Sequence, residues 1–279
     1  GTGLVETLED LGTQGAEPSN KELLDHLSYR FMNELNWSVK SLLKEILLSA
    51  TYRQESKLTK EILDKDPYNR LFARGPRVRL SAEQIRDQAL SISGLLSPKM
   101  WGASVMPWQP DGIWMSPWNG ATWKKSEGED QYRRALYTYW KRTAPYPSMI
   151  SFDGAAREIC MPRRISTNTP LLALVSLNDS VYLEASRHFA YRMQKEAGTN
   201  DIRAAIAKGY ELMMHKPITP NRLNVLSGLY SEAVIKFKSD EVKTCEMIGL
   251  NDKHNNPETA ALVVVANAML NLDELITKN

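Results

Sequence analysis

The chain has 279 residues, of which 42% are hydrophobic and 24% are charged, and its formal net charge is +2. This length and composition allow a sizeable core in one large domain or two small ones. The basic residues are dispersed among acids, which argues against a nucleic-acid partner, because such proteins normally carry a clustered basic face. No run of about 18 apolar residues occurs, so no membrane span is predicted.

The N-terminal residues and the two cysteines give further expectations. The chain begins at Gly1-Thr2-Gly3 without methionine, so we expect it to be part of a longer protein, and the lack of a signal peptide excludes little. Cys160 and Cys245 lie in no CxxC or CxxCH pattern, which excludes c-type haem attachment and a cysteine zinc site in this chain. The pair could form one disulfide in an oxidising compartment or remain free thiols.

The first predicted elements are two amphipathic helices. Ser19 or Asn20 can cap the first, and a second with the same apolar spacing follows Asn36. The connection is short, so the two are predicted to form a helical hairpin. Their apolar positions are Leu23, Leu24, Leu27 and Phe31 in the first helix and Val39, Leu42, Leu43, Ile46 and Leu47 in the second.

The middle of the chain changes from loop to helix and back to loop. Residues 64–80 have an extended or looped character. Ser81 with Gln84 forms a capping-box pattern, which predicts a helix to about Ser93. Residues 98–128 then hold four prolines, four glycines and five of the seven tryptophans. This pattern predicts a long Trp/Pro-rich loop that is functional or covers the core.

The remaining chain is mostly helical in pattern. Alternating aromatic residues predict a short strand at 133–142. Thr169 and Pro170 open a long helix that Asn178-Asp179 can kink or divide. Three more helices follow, and the last, "NPETAALVVVANAMLNLDELITK", is apolar on most sides and is predicted to be central. The sequence therefore predicts a mainly α fold: one multi-helix globular domain over residues 1–279, with at most a small β-hairpin.

Several segments together resemble one known family. They are "LLKEILLSATYRQES", "DPYNRLFARGPRVRLSAEQIRDQALSISGLL", "GEDQYRRALYTYWKRT", "SFDGAAREICMPRRISTNTPLLALVSLND" and "VVANAMLNLDELITK". With the opening segment they cover nearly the whole chain. The chain resembles the planctomycete-type PSD-one domain, domain of unknown function 1553, which is the C-terminal module of planctomycete cytochrome-c-associated proteins.

This resemblance implies an exported protein of the periplasm or cell envelope, associated with the use of polysaccharides, including sulfated glycans. It also implies that a cytochrome module and a companion domain accompany this module in the parent protein. A c-type haem would then lie in a separate domain, and no cofactor is expected in this chain. The family has no established catalytic residues, so none is carried over.

The densest charge motif occupies residues 152–168, just before the predicted Thr169 helix. Helix N-termini favour anions, and neighbouring arginines can hold a sulfate, phosphate or carboxylate bidentately. The alternative is a structural network in which Asp153 and Glu158 pair with the arginines, because an unpaired buried guanidinium is costly. The candidate ligand-binding residues of this segment are Asp153, Arg157, Arg163 and Arg164.

Cysteine and histidine give weaker signals. Basic neighbours could activate Cys160 as a nucleophile, but this chemistry needs a histidine base, and a buried structural thiol is the default. His188 is the nearest histidine in sequence, and Glu184 lies one helical turn before it. That pair could transfer protons or stabilise the helix surface. The four histidines are dispersed without an HExxH pattern, so no metal site is predicted.

Trp114, Trp118 and Trp123 could form a stacking platform for a sugar ring within the long loop. The alternative is that these large aromatic side chains anchor a loop without secondary structure to the core. The same kind of loop also occurs at protein interfaces.

Two functions remain open from the sequence, and whether the chain is an enzyme stays undecided. The first is a binding and assembly module that docks companion domains or an anionic polysaccharide. The second is a component of a redox or lytic enzyme, in which the arginine segment and the tryptophan loop line one pocket for an anionic sugar. A shared concave pocket with unpaired polar groups would favour the enzyme, and fully packed and paired residues would count against it.

Overall fold

The computed structural model describes residues 3–10, 12–114, 122–155, 157 and 159–278. The chain divides into two compact units. Unit 1 comprises residues 1–79, 160–163 and 277–279, and unit 2 comprises residues 80–159 and 164–276. The single domain over 1–279 stays a prediction, because a compact unit need not fold independently.

Unit 1 is built from short helices and one small sheet. The predicted first helix is present, and the side chain of Asn20 caps it by accepting from the Leu23 N–H at 2.9 Å. An ion pair between Arg30 and Glu45, at 3.2 Å, joins it to the second helix. The elements are a 3-10 helix at Gly12–Gln14, α1 at Lys21–Asn33, α2 at Val39–Leu48, α3 at Lys60–Lys65, and strand β1 at Val78–Arg79, which pairs antiparallel with β2 at Thr277–Lys278.

Unit 2 contains the remaining helices. The capping box between Ser81 and Gln84 is confirmed, and Asp179 divides the long predicted helix in two by capping the second half. The elements are α4 at Ala82–Ser93, 3-10 helices at Gly128–Tyr132 and Ala135–Tyr137, α5 at Pro147–Ser151, α6 at Pro170–Asn178, α7 at Ser180–Ala197, α8 at Ile202–Met214, α9 at Pro220–Lys238, α10 at Glu241–Ile248, α11 at Pro257–Leu270 and α12 at Asp273–Ile276.

Helix α11 lies at the centre of unit 2, as its sequence predicted. Ten of its fourteen residues are buried, because apolar side chains occur all round the helix. Helices α7 and α9 pack against it, and α4 and α8 pack against α7. Fully buried side chains such as Phe189, Met193 and Leu262 fill the space between these helices. Each contributes about 1.5–3 kcal/mol through removal of apolar surface from water.

The mainly α fold is confirmed, but the predicted strand at 133–142 is wrong. This segment contains the 3-10 helix Ala135–Tyr137, flanked by two isolated bridges, Ser97 with Arg133 and Val105 with Thr138. The Asp87 carboxylate accepts from the Ala135 N–H at 2.6 Å, which favours a turn at this point. The two-stranded sheet instead joins residues 78–79 with residues 277–278, which are far apart in the sequence, so it is not a hairpin.

The long loop is confirmed for the residues that the structure describes. Residues 98–114 and 122–127 contain no helix, and their regular pairing is limited to the bridge at Val105. Across the described ranges, no helix combines the length and the apolar character needed to cross a membrane.

Candidate functional site

The paired arginines of the charged segment belong to different units. In unit 1, the Arg163 Nε lies 2.7 Å from a carboxylate oxygen of Glu9. In unit 2, Arg164 binds Glu83 through two parallel contacts of 2.6 and 2.9 Å. This bidentate contact holds the pKa of Glu83 below its usual value and raises that of Arg164. Both guanidinium groups therefore already have a carboxylate partner.

Asp153 is not the partner of these arginines. Its carboxylate accepts from the Thr167 N–H at 2.7 Å and from the Thr167 hydroxyl at 2.8 Å, which ties the two ends of the segment together. Arg157 lies with its guanidinium carbon 5.4 Å from the centre of the Trp140 ring. Asp153 and Arg157 both have positive φ, at 59° and 60°. Glu158, the other acid of the expected network, lies outside the described residues.

Trp114 and Trp123 contact each other and are held by the rest of unit 2. Their ring centres are 5.5 Å apart in an edge-to-face arrangement. The Trp114 Nε1 donates to the Ala144 carbonyl at 3.2 Å, and the Trp123 Nε1 donates to the Pro107 carbonyl at 2.8 Å. Both indoles are partly buried. These contacts support the anchoring role. Trp118 lies outside the described residues.

A buried polar network beneath this loop was missed from the sequence. Trp123 stacks on Tyr146, whose hydroxyl donates to the Trp108 carbonyl at 2.6 Å. Burial raises the pKa of Tyr146 to about 12, so the phenol stays protonated and remains a donor. Arg86, only 2% exposed, donates to the carbonyls of Gln131 and Arg133 at 2.9 Å. The loop is therefore fastened to the core by hydrogen bonds as well as by apolar contact.

Arg133 extends this network to the start of the loop. Its guanidinium donates to the carbonyls of Ala103 and Trp101 and lies 3.9 Å from the centre of the Tyr137 ring. Nothing in the local sequence distinguishes Arg86 or Arg133 from surface arginines. Their roles depend on donors reaching carbonyl groups that the chain path brings close.

His188 is exposed on α7. Its ring centre lies 5.7 Å from that of Tyr191. Glu184, the expected partner of His188, instead accepts from the Tyr132 hydroxyl at 2.7 Å. Desolvation lowers the pKa of His188, so its imidazole is neutral at neutral pH. Within unit 2, the contacts described for Arg157, Arg164, the two indoles and His188 have no partner in common.

The expectation of a buried Cys160 is wrong. Cys160 is exposed and Cys245 is half-buried, and both are free thiols. The short run of unit 1 that contains Cys160 supplies no helix or strand to cover it. Within the described part of the chain, no three His, Cys, Asp or Glu side chains are grouped as a metal site requires.

A large concave feature is a groove in unit 1, with a volume of about 1150 Å³. We call it the unit 1 groove. Its apolar wall includes Leu23, Leu27, Ile46, Tyr52, Leu58 and Phe72. Lys57, Arg74, Arg77 and Lys278 also line it, and Lys278 lies 3.9 Å from the centre of the Tyr52 ring. The apolar spacing of α1 and α2 identified several of these residues, but it could not show that they line an open surface.

Comparison with known proteins gives the family of this chain. A family model described as "PSD1: Protein of unknown function (DUF1553)" matches residues 1–230. The chain belongs to the PSD1 family. No curated protein and no solved structure matches it.

The PSD1 match covers most of the candidate features. It includes the tryptophan loop, the arginine segment, His188 and all of the unit 1 groove except Lys278. The family description assigns no activity. The geometry of its own residues must therefore indicate what this PSD1 member does.

Proposed function

We propose that this chain is a non-catalytic binding and assembly module of an exported multidomain protein, located in the periplasm or cell envelope. In this proposal it works in a cytochrome-linked system for the use of polysaccharides, including sulfated ones. The observation that carries the assembly role is the open apolar surface of unit 1. The export and polysaccharide roles are supported by the sequence resemblance alone.

The helices of unit 1 bury little of their apolar surface. None of α1, α2 and α3 contains a buried residue. In the unit 1 groove, Tyr52 is 44% exposed and Leu58 is 52% exposed. Covering five such side chains would contribute on the order of 5–10 kcal/mol before the entropic cost of association is subtracted. A surface of this kind is typical of a protein interaction site.

The charges around the groove select the chemistry of its partner. Four cationic side chains line it, and Glu45, the one carboxylate among its lining residues, is paired with Arg30. A partner surface with apolar side chains in the centre and acidic side chains at the edge complements this arrangement. We assign this partner role to a companion domain of the parent protein.

The test measures binding of the full chain to the companion domain by isothermal titration calorimetry. Leu27→Glu and Ile46→Glu place a charge on the groove wall and should weaken binding at least about a hundredfold. Val225→Glu is the matched control, because Val225 is 71% exposed on α9 in unit 2 and should leave affinity unchanged.

The outcomes separate two occupants, a companion domain and a second copy of the chain. Loss of binding only in the groove variants supports the proposal. Equal effects of all three variants, or no binding by the wild-type chain, would overturn it. Concentration-dependent dimerisation that the groove variants abolish, measured by light scattering, would assign the groove to a second copy of the chain instead.

The polysaccharide role has its own test. A thermal-shift and glycan-array screen should include sulfated and uronic oligosaccharides. If the screen finds a ligand that binds at the predicted arginine and tryptophan residues, Arg163→Gln and Trp114→Ala should each abolish its signal. Retention of the signal in both variants would exclude that site.

The enzyme alternative gains no support from the contacts. Arg163 and Arg164 are paired with acids, and Trp114 and Trp123 are held by backbone carbonyls. A pocket for an anionic sugar would need some of these groups to remain unpaired and to face a common cavity.

A further inference from the structure

Helix α2 carries an exposed apolar stripe that is not part of the unit 1 groove. Val39, Leu43 and Leu47 recur every four residues, and each is between 49% and 60% exposed. Positions with this spacing differ by about 40° around a helix and about 6 Å along it, so the three side chains share one face about 12 Å long. None of the three lines the unit 1 groove. The stripe is therefore a second apolar surface of unit 1.

A tryptophan lies directly before α2. Trp37 is 65% exposed, and its ring meets the Phe31 ring edge-to-face with centres 5.3 Å apart. Asn36 and Trp37 have positive φ, at 48° and 59°, a conformation that residues other than glycine adopt at a cost. The Trp37 N–H donates to the Phe31 carbonyl at 2.9 Å, which holds this turn in place. The structure thus fixes an exposed indole at the start of α2.

Two lysines border the stripe. Lys40 and Lys44 are exposed, and they lie about 20° and 60° beyond Leu47 around the helix. Among the described residues, neither ammonium group has an ion-pair partner. Glu45, the one acidic residue of α2, is half-buried and pairs with Arg30 of α1 at 3.2 Å. The solvent side of α2 therefore combines apolar side chains with positive charge that no acid of the helix offsets.

The size of this surface distinguishes between classes of partner. Three half-exposed aliphatic side chains and one indole offer on the order of 400 Å² of apolar surface. A stable protein interface needs about 800 Å² from each partner. A bilayer accepts a smaller surface, because its headgroup boundary adapts to the side chains and anionic lipids add electrostatic attraction. Indoles favour this boundary, and lysine stems lie along apolar surface while their ammonium groups reach phosphates.

We propose that this side of α2 binds the surface of an anionic lipid bilayer. The helix lies in the plane of the interface, with the stripe and the Trp37 indole at the boundary between headgroups and acyl chains. Lys40 and Lys44 contact the lipid phosphates. None of these residues lines the unit 1 groove, so the membrane contact does not rest on the assembly role.

The test measures co-sedimentation of the full chain with lipid vesicles. Vesicles of equal parts phosphatidylglycerol and phosphatidylcholine are compared with vesicles of phosphatidylcholine alone. The chain should bind the mixed vesicles more tightly, and added salt should weaken this binding because it screens the lysines. Mixed vesicles with brominated acyl chains should quench the tryptophan fluorescence of the bound chain. Trp37→Phe should remove most of this quenching, because the proposed contact brings the Trp37 indole to the acyl boundary.

Paired lysine variants test the electrostatic part of the contact. The double variant Lys40→Gln/Lys44→Gln should weaken binding to mixed vesicles about 25-fold, since each basic residue at an anionic surface contributes about fivefold. The double variant Lys195→Gln/Lys236→Gln is the matched control. It removes the same charge from exposed positions in unit 2 and should leave binding unchanged.

A substitution in the stripe tests the apolar part. Leu43→Glu should weaken binding to mixed vesicles at least about tenfold, because it places a negative charge at the membrane boundary. Val225→Glu, at an exposed position on α9 in unit 2, is the matched control and should leave binding unchanged. Leu43→Ser, which adds no charge, should give a smaller loss. Circular dichroism of each variant checks that the helices are retained.

Three results would each overturn the membrane contact. They are equal binding to the two kinds of vesicle, equal quenching in the wild-type chain and Trp37→Phe, and equal weakening by the two lysine pairs. Self-association without lipid that Leu43→Glu abolishes, in a chain that does not bind vesicles, would assign the stripe to a second copy instead. Leu27→Glu alters the groove and should leave vesicle binding unchanged, so failure of this contact is distinguishable from failure of the assembly role.

Discussion

The substitution Trp123→Ala tests whether the tryptophan loop is an anchor or a ligand platform. Trp123 is partly buried, contacts Trp114 edge-to-face and stacks on Tyr146. Its Nε1 also donates to the Pro107 carbonyl at 2.8 Å. Truncation removes all three contacts, whereas an indole that serves as a sugar platform would keep one face open for the ligand.

The magnitude follows from these contacts. Two aromatic pairs contribute about 0.5–1.5 kcal/mol each beyond burial of area, and the hydrogen bond contributes about 1 kcal/mol. Trp123→Ala should therefore lower the free energy of unfolding by about 2–4 kcal/mol. Trp101→Ala is the matched control in the same loop. Trp101 is 79% exposed, so its truncation should change stability by less than about 0.5 kcal/mol.

The assay is urea unfolding followed by far-UV circular dichroism, which reports the helices of unit 2. Any oligosaccharide found in the screen is then titrated onto the folded variants. If Trp123 is an anchor, Trp123→Ala should lower the stability of the protein and leave the oligosaccharide affinity of the folded molecules unchanged. Unchanged stability in Trp123→Ala, together with lost oligosaccharide binding, would refute the anchoring argument. Equal destabilisation by the two tryptophan variants would refute it as well.

Two further predictions concern charge and thiol chemistry. Because Arg164 lowers the pKa of Glu83, their pair stabilises the fold above about pH 4.5, and this contribution is lost as the pH falls through the lowered value. Glu83→Gln should lower the free energy of unfolding by about 0.5–1 kcal/mol at neutral pH, a small effect because both side chains are partly exposed. In strong acid the substitution should have no effect. A difference in urea midpoint that does not change with pH would contradict this. Cys160, exposed and free, should react with a thiol reagent much faster than half-buried Cys245, and equal rates under native conditions would show that their burial is misassigned.

The amino-acid sequence by itself determined the class of fold and most of its helices. Asn20 and the Ser81–Gln84 pair mark helix starts because their side chains satisfy nearby backbone N–H groups, within three residues. The apolar residues of α11 predicted its central position, because a helix that is apolar all round must be buried. These are local properties, so they can be read without knowing the path of the chain.

The tertiary structure alone decided the partners of the polar groups. Arg164 pairs with Glu83, 81 positions away, rather than with the nearby Asp153, and Arg86 reaches carbonyls more than 40 positions away. The groove of unit 1 likewise depends on side chains from separate segments. A hydrogen bond or ion pair requires two groups within a few ångströms, and sequence spacing fixes that distance only within a helix or turn.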